Sequence, residues 1–130
     1  MTCTLFSCFS IQDTEALALK ERTLVTKRIN RLCMHEGPSD RLHVMLICLP
    51  PNYLIPLHAS REPGQIFYIH HTGNIRFFGI GPTAPFLDNV CTALSADRLL
   101  SRGQENMSNN LALFWEITIG PHTLNSTHWL

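Results

Sequence analysis

Apolar and polar positions change period along this chain, and the changes divide it into elements. From Asp13 to about Lys27, DTEALALKERTLVTK holds helix formers without Gly or Pro; Asp13 or Thr14 is placed to cap it, and Ala16, Leu17, Leu24 and Val25 form a loose apolar stripe. One helix is predicted there, packed across the outside of the domain or at a subunit contact. Asn30 to Asp40 reads as a short extended piece ending in the turn Gly37-Pro38-Ser39-Asp40. Leu42 to Leu49 is an apolar run stopped by Pro50-Pro51, the pattern of a strand buried on both faces. Tyr53 to His58 and Gln65 to His70 are further predicted strands. His71-Thr72-Gly73-Asn74 is a turn signal, from which Ile75 to Ile80 is expected to return as a hairpin partner.

Beyond Gly81-Pro82-Thr83-Ala84-Pro85 the pattern weakens. Phe86 to Asn110 holds only short apolar pieces, and GQENMSNN within it reads as an exposed loop. Leu111 to Ile119 then alternates strictly. Leu113, Trp115, Ile117 and Ile119 fall on one face, expected to meet the main core; Ala112, Phe114, Glu116 and Thr118 fall on the other, where Glu116 and Thr118 suit a wetter surface or a barrel mouth. The tail GPHTLNSTHWL has turn character and ends in a tryptophan expected against the body. Short strands between turn signals, behind a single helix, predict an all-β barrel or sandwich.

Composition narrows the functional classes. The 130 residues suit one domain, and 45% hydrophobic with 15% charged residues is the balance of a folded globular chain. Ten basic side chains offset ten acidic ones and no long basic run appears, which points away from nucleic acid and anionic membrane surfaces. No apolar run approaches the length of a membrane span, and low net charge favours self-association. Cysteines at 3, 8, 33, 48 and 91 are odd in number and form no CxxC pair. The opening MTCTLFSCFS lacks a basic start and is soon followed by Asp13 and Glu15, unlike a signal peptide. A reducing cytoplasm with free thiols is the expectation, which makes the sequons at Asn106 and Asn125 coincidental. Nothing resembles a phosphate loop, a Ser-His-Asp order or a cysteine nucleophile paired with a base.

The stretch PNYLIPLHASREPGQIFYIHHTG, residues 51–73, carries the most chemistry. It resembles the first conserved motif of the cupin barrels: two histidines two apart, a glutamate five further on, then a strand and a glycine. Residues two apart on a strand share a face, so two imidazoles can reach one metal ion and a carboxylate on the next strand can close the shell. His58 stands where the first histidine belongs, but Ser60 replaces the second and Gln65 the glutamate. With KRINRLCMHEGPSDRLHVMLICLPPNYLIPLH before it and LALFWEITIGPH after it, the motif makes the chain similar to the WbuC-type cupins, small bacterial proteins encoded among genes for surface polysaccharide. His122 stands in place of an aromatic at the closing strand's end, and Trp129 matches a tryptophan in the tail. The resemblance implies a cupin-type jelly-roll β-barrel over 29–130 behind an N-terminal helical segment, 1–28, in a homodimer. A second cupin motif would supply another histidine near Gly103, where none lies.

The expected ligand-binding pocket is therefore His58, Ser60, Gln65 and Tyr68, with His35 matching a family histidine near the barrel entrance. His58 and Glu62 are the residues left to touch a metal, against a cofactor expectation of none or a weakly bound divalent ion. His70 and His71 are adjacent on a strand and point to opposite faces, and His43 reads as a structural histidine. Two functions stay open. One is a binding or structural module without metal that holds a small polar ligand, a sugar or sugar nucleotide, in cell-surface polysaccharide (O-antigen) biosynthesis. The other is a sugar-modifying enzyme with a divalent metal held weakly by His58 and rearranged neighbours. The loss of three ligand positions out of four favours the first.

Overall fold

A computed structural model describes residues 13–37, 41–79, 85–86, 93–120 and 127–129. Cys3, Cys8, Cys91, His122, the sequon at Asn125 and the opening MTCTLFSCFS lie outside the described residues, as does the side chain of Trp129.

Helix α1 spans Asp13–Thr26 and the strands follow it: β1 Asn30–Gly37, β2 Leu42–Leu49, β3 Leu54–Ser60, β4 Gln65–Thr72, β5 Ile75–Phe78, β6 Pro85–Phe86, β7 Ala93–Asp97, β8 Arg102–Asn106, β9 Ala112–Ile119 and β10 Thr127–Trp129. One sheet has the order β1-β2-β9-β4-β7 and the other β10-β3-β8-β5-β6, with every pairing antiparallel. Among these strands only β1 with β2 and β5 with β6 pair with a sequence neighbour. Elsewhere the chain crosses to the opposite sheet at each connection, the winding of a jelly roll. The turn at Gly73 is one such crossing, so β4 and β5 are not the hairpin that the turn residues predicted: β5 pairs with β6 and β8 instead.

Two apolar clusters account for the packing. Ile47, Leu49, Ile55, Ile66, Tyr68, Ile75, Phe77, Ala112 and Phe114 come from both sheets and fill the space between them. Leu19 of the helix joins Val44, Leu46, Cys48, Leu113, Trp115 and Ile117 on the outer face of the first sheet. Strand β2 is thus apolar throughout because both of its faces are covered, one by the second sheet and one by the helix. Strand β9 is likewise apolar on both faces, which corrects the assignment of its faces: Leu113, Trp115 and Ile117 lie in the outer cluster, Ala112 and Phe114 lie between the sheets, and Ile119 is 41% exposed.

The helix is anchored differently from its predicted stripe. Leu19 and Thr23, one turn apart, are buried, whereas Leu17, Leu24 and Val25 are exposed. Lys27, at φ 56°, ends the helix in the left-handed conformation, its N–H donating to the Thr23 carbonyl at 3.0 Å. Asn30 then ties the exit to the helix, its amide donating to Thr26 Oγ1 and accepting from Arg22 Nε.

The segment read as an exposed loop, GQENMSNN, begins as strand β8. Asn106 is buried and donates to the carbonyls of Pro50 and Asn110 at 2.9 and 2.7 Å, while its carbonyl accepts from the Ser108 N–H. This single amide joins the end of β2 to the β8–β9 turn.

Candidate functional site

Parity along the strands decides which side chains enter the space between the sheets. Gln104 pairs with Ile55 and Phe77, both in the inter-sheet core, so it faces inward; Arg102, two residues away, does the same. On the facing sheet Tyr68 pairs with Glu116, and Ile66 with Thr118. The inward side of β9 therefore runs from apolar Ala112 and Phe114 to polar Glu116 and Thr118.

Arg102 crosses the gap. Its Nε donates to the Tyr68 hydroxyl of the opposite sheet at 3.1 Å, its Nη2 to Ser60 Oγ at 3.1 Å, and its Nη1 to the Arg98 and Leu100 carbonyls at 2.7 and 3.4 Å. Arg98 approaches the same serine oxygen, with Nε at 3.4 Å. Both guanidinium groups are buried, Arg98 1% and Arg102 3% exposed. Backbone bonds fix the arrangement: the Ser60 N–H donates to the Arg98 carbonyl and the Arg98 N–H to the Gly64 carbonyl. Gly64, at φ +149°, lets the β3–β4 loop pass this close, since a Cβ there would stand 2.5 Å from the Ile119 carbonyl oxygen and 3.0 Å from Arg98 Cδ.

Electrostatics follow from this crowding. Burial, then the neighbouring Arg102, pulls the Arg98 pKa down, while Glu62 and Glu116 act in the opposite sense. Burial, then Glu116, pushes the Tyr68 hydroxyl well above its usual range, so it stays protonated. His58 is buried, its Nδ1–H donating to the Pro56 carbonyl at 2.9 Å, and burial holds its pKa below the ordinary value. Three buried polar atoms here have no hydrogen-bond partner among the described residues: Gln104 Nε2, Thr118 Oγ1 and Glu62 Oε2.

Of the expected pocket residues, His58, Ser60 and Tyr68 come together around Arg102. Gln65 does not: it is exposed and shares the parity of Phe67 and Ile69, which pack on the outer cluster, so Ile66 takes the inward position at the head of β4. His35 pairs with Val44 of the outer cluster and lies on the far face of its sheet. His70 reaches the Gly73 carbonyl while His71 leans on Trp115, on opposite faces as adjacency requires. Gly103 is not an inward position either, since a Cβ there would meet the Phe78 ring and stand 2.7 Å from the Ile55 carbonyl oxygen.

A divalent metal does not fit these residues. Among the described residues no three His, Cys, Asp or Glu side chains converge. Ser60 Oγ already accepts from two guanidinium groups, and Arg102 places a permanent cation beside His58.

Solved structures repeat the architecture. An RmlC-like cupin protein from Desulfovibrio desulfuricans is similar at 18% identity and a TM-score of 0.57, over 74% of this chain and 85% of its own. TT1209 from Thermus thermophilus reaches a TM-score of 0.63 at 18% identity, over 84% of this chain and 95% of its own. The fold is the cupin fold. The Cupin_2 domain of an XRE family transcriptional regulator from Enterobacter cloacae has a TM-score of 0.61 at 14% identity, over 72% of this chain and 98% of its own. No protein-family model and no curated protein matches the sequence. Among the described residues no helix is long and apolar enough to cross a membrane.

Arg98, Arg102 and Gln104 escaped the sequence reading, whereas Thr118 lies on the face of the closing strand expected to be wetter or to line a barrel mouth. The available signal was the period-two spacing of Arg102, Gln104 and Asn106, hidden because the inward positions are polar and give no hydrophobic contrast.

Proposed function

We propose that this cupin is a binding module that works without metal and holds a small polar ligand between its sheets. The observation that carries the reading is the buried polar group around Ser60, in which Arg98, Arg102, Tyr68 and Gln104 meet where an apolar core would otherwise close. Buried hydrogen-bonding groups are costly unless satisfied, so a core that keeps several of them, some without partners among the described residues, suits a ligand that satisfies them. The WbuC-type resemblance makes a sugar or sugar nucleotide of surface-polysaccharide synthesis the ligand class, and a homodimer in the cytoplasm the setting. Titration calorimetry of the full chain with UDP-glucose, GDP-mannose and dTDP-glucose tests it alongside elemental analysis. Saturable binding weakened in Tyr68→Phe, with metal far below one ion per chain, is the expected result. A stoichiometric metal lost in His58→Ala overturns the metal-free reading.

A further inference from the structure

The interior group is rich in hydrogen-bond donors, and those of Arg102 meet only neutral acceptors among the described residues. Among the described residues Arg102 makes its hydrogen bonds to neutral oxygens, namely the Tyr68 and Ser60 hydroxyls and the Arg98 and Leu100 carbonyls. No carboxylate of these residues lies within ion-pair distance of it. A second guanidinium, Arg98, converges on the same Ser60 oxygen. The two guanidinium groups repel each other in a medium that screens poorly, and Glu62 and Glu116 offset this at Arg98. Gln104 adds a donor with capacity to spare: the residue is 1% exposed, its side chain interacts with the Tyr68 hydroxyl, and its Nε2 has no close hydrogen bond to the described residues. Thr118 Oγ1, on the facing strand, is also unpartnered among them. What Arg102 lacks in this space is an acceptor carrying negative charge.

Resting on the binding reading above, we infer that the ligand is recognised through an oxyanion, a carboxylate or phosphate group that Arg102 binds with the Gln104 amide and the Thr118 hydroxyl as further donors. Arg102 suits the task because it never loses its charge and, after the four hydrogen bonds it makes among the described residues, keeps one Nη2 N–H to donate. Glu62 and Glu116 set the limit on affinity. Both act on Arg98 from nearby, and Glu62 Oε2 is a buried acceptor without a donor among the described residues, so an incoming anion competes with them for the same positive field.

The test is calorimetric titration of the full chain with glucose 1-phosphate, glucuronate, inorganic phosphate and glucose at low and moderate salt. At least one charged sugar should bind tenfold or more tightly than glucose, with affinity falling as salt rises. Glucose 1-phosphate alone identifies a phosphoryl site, glucuronate alone a carboxylate site, and both together a site that reads charge. Arg102→Gln should reduce the charged sugar to the affinity of glucose, whereas Arg76→Gln, which removes an arginine paired with Glu105 on the outer face of the second sheet, should change nothing. Because Arg102 also braces the β7–β8 turn, Gln104→Met provides a variant that keeps the turn intact, expected to weaken the charged sugar several-fold. Glucose binding as tightly as its charged relatives overturns the oxyanion while leaving the binding reading standing. If no probe binds, both fall.

Discussion

His58 shows how one buried side chain sets a pH dependence. Burial lowers its pKa; the Pro56 carbonyl, which accepts from Nδ1–H, and the Glu116 charge push the other way, and Arg102 and Arg31 lower it further. His71, against Trp115, is lowered as well, first by burial and then by Lys20 and His70. A histidine depressed in the folded state takes up its proton more readily when the chain unfolds. The unfolded state therefore binds more protons from the ordinary value of 6.5 downward, and stability is lost as pH falls through that value toward the folded pKa. Urea midpoints should be constant above neutrality and fall between roughly pH 7 and 5, with a smaller fall in the double variant His58→Gln, His71→Gln. Equal midpoints across that range in the parent chain would show that neither ring is desolvated as described. At this scale the sequence was legible where a motif named the residue: the resemblance at 51–73 pointed to His58, Ser60 and Tyr68. It was silent on Arg98 and Arg102, since a buried arginine and a surface arginine look alike in a sequence and surface arginines are far commoner.

Elements were legible in proportion to their hydrophobic contrast. Strands β2 and β9 appear almost at their predicted bounds, because apolar runs and strict alternation survive any tertiary context. Strand β8 does not show in the sequence, because its inward residues are Arg102, Gln104 and Asn106. The helix was legible in extent and not in face. Its stripe of Ala16, Leu17, Leu24 and Val25 looks apolar but spreads around the cylinder, and contact with the sheet passes through Leu19 and Thr23. Thr23 also turns its hydroxyl back to the Leu19 carbonyl at 2.8 Å, so a polar residue is buried without an unmet hydrogen bond. Leu19→Ala should accordingly cost about 2–5 kcal/mol, as for a buried leucine in a packed core, while Leu24→Ala, more than half exposed, should stay within about 0.5 kcal/mol. Denaturant melts of the two variants make the comparison. Comparable losses would mean that the helix turns its other side to the sheet.

For the whole molecule the question is whether helix and barrel are separable, as a division into 1–28 and 29–130 suggests. The packing argues against separability. Leu19 belongs to the same cluster as Val44, Leu46, Cys48, Leu113, Trp115 and Ile117, and that cluster lies on β2 and β9, whose other faces build the inter-sheet core. Removing the helix takes Leu19 out of the cluster on the outer face of these strands and cuts the bonds that Asn30 makes to Arg22 and Thr26. A strand face of Leu, Val, Ile and Trp left open to water is an aggregation surface as well as a loss of burial. The intact chain should therefore unfold in one transition, with far-UV circular dichroism and tryptophan fluorescence coincident. A chain beginning at Ile29 should show a lower midpoint, bind a hydrophobic dye before unfolding and associate at concentrations where the parent does not. Circular dichroism melts, dye titration and sedimentation on the two chains read all three. If the shortened chain keeps the parent's midpoint and binds no dye, the outer cluster contributes nothing to the barrel, and the helix is an appendage rather than a third layer of the fold.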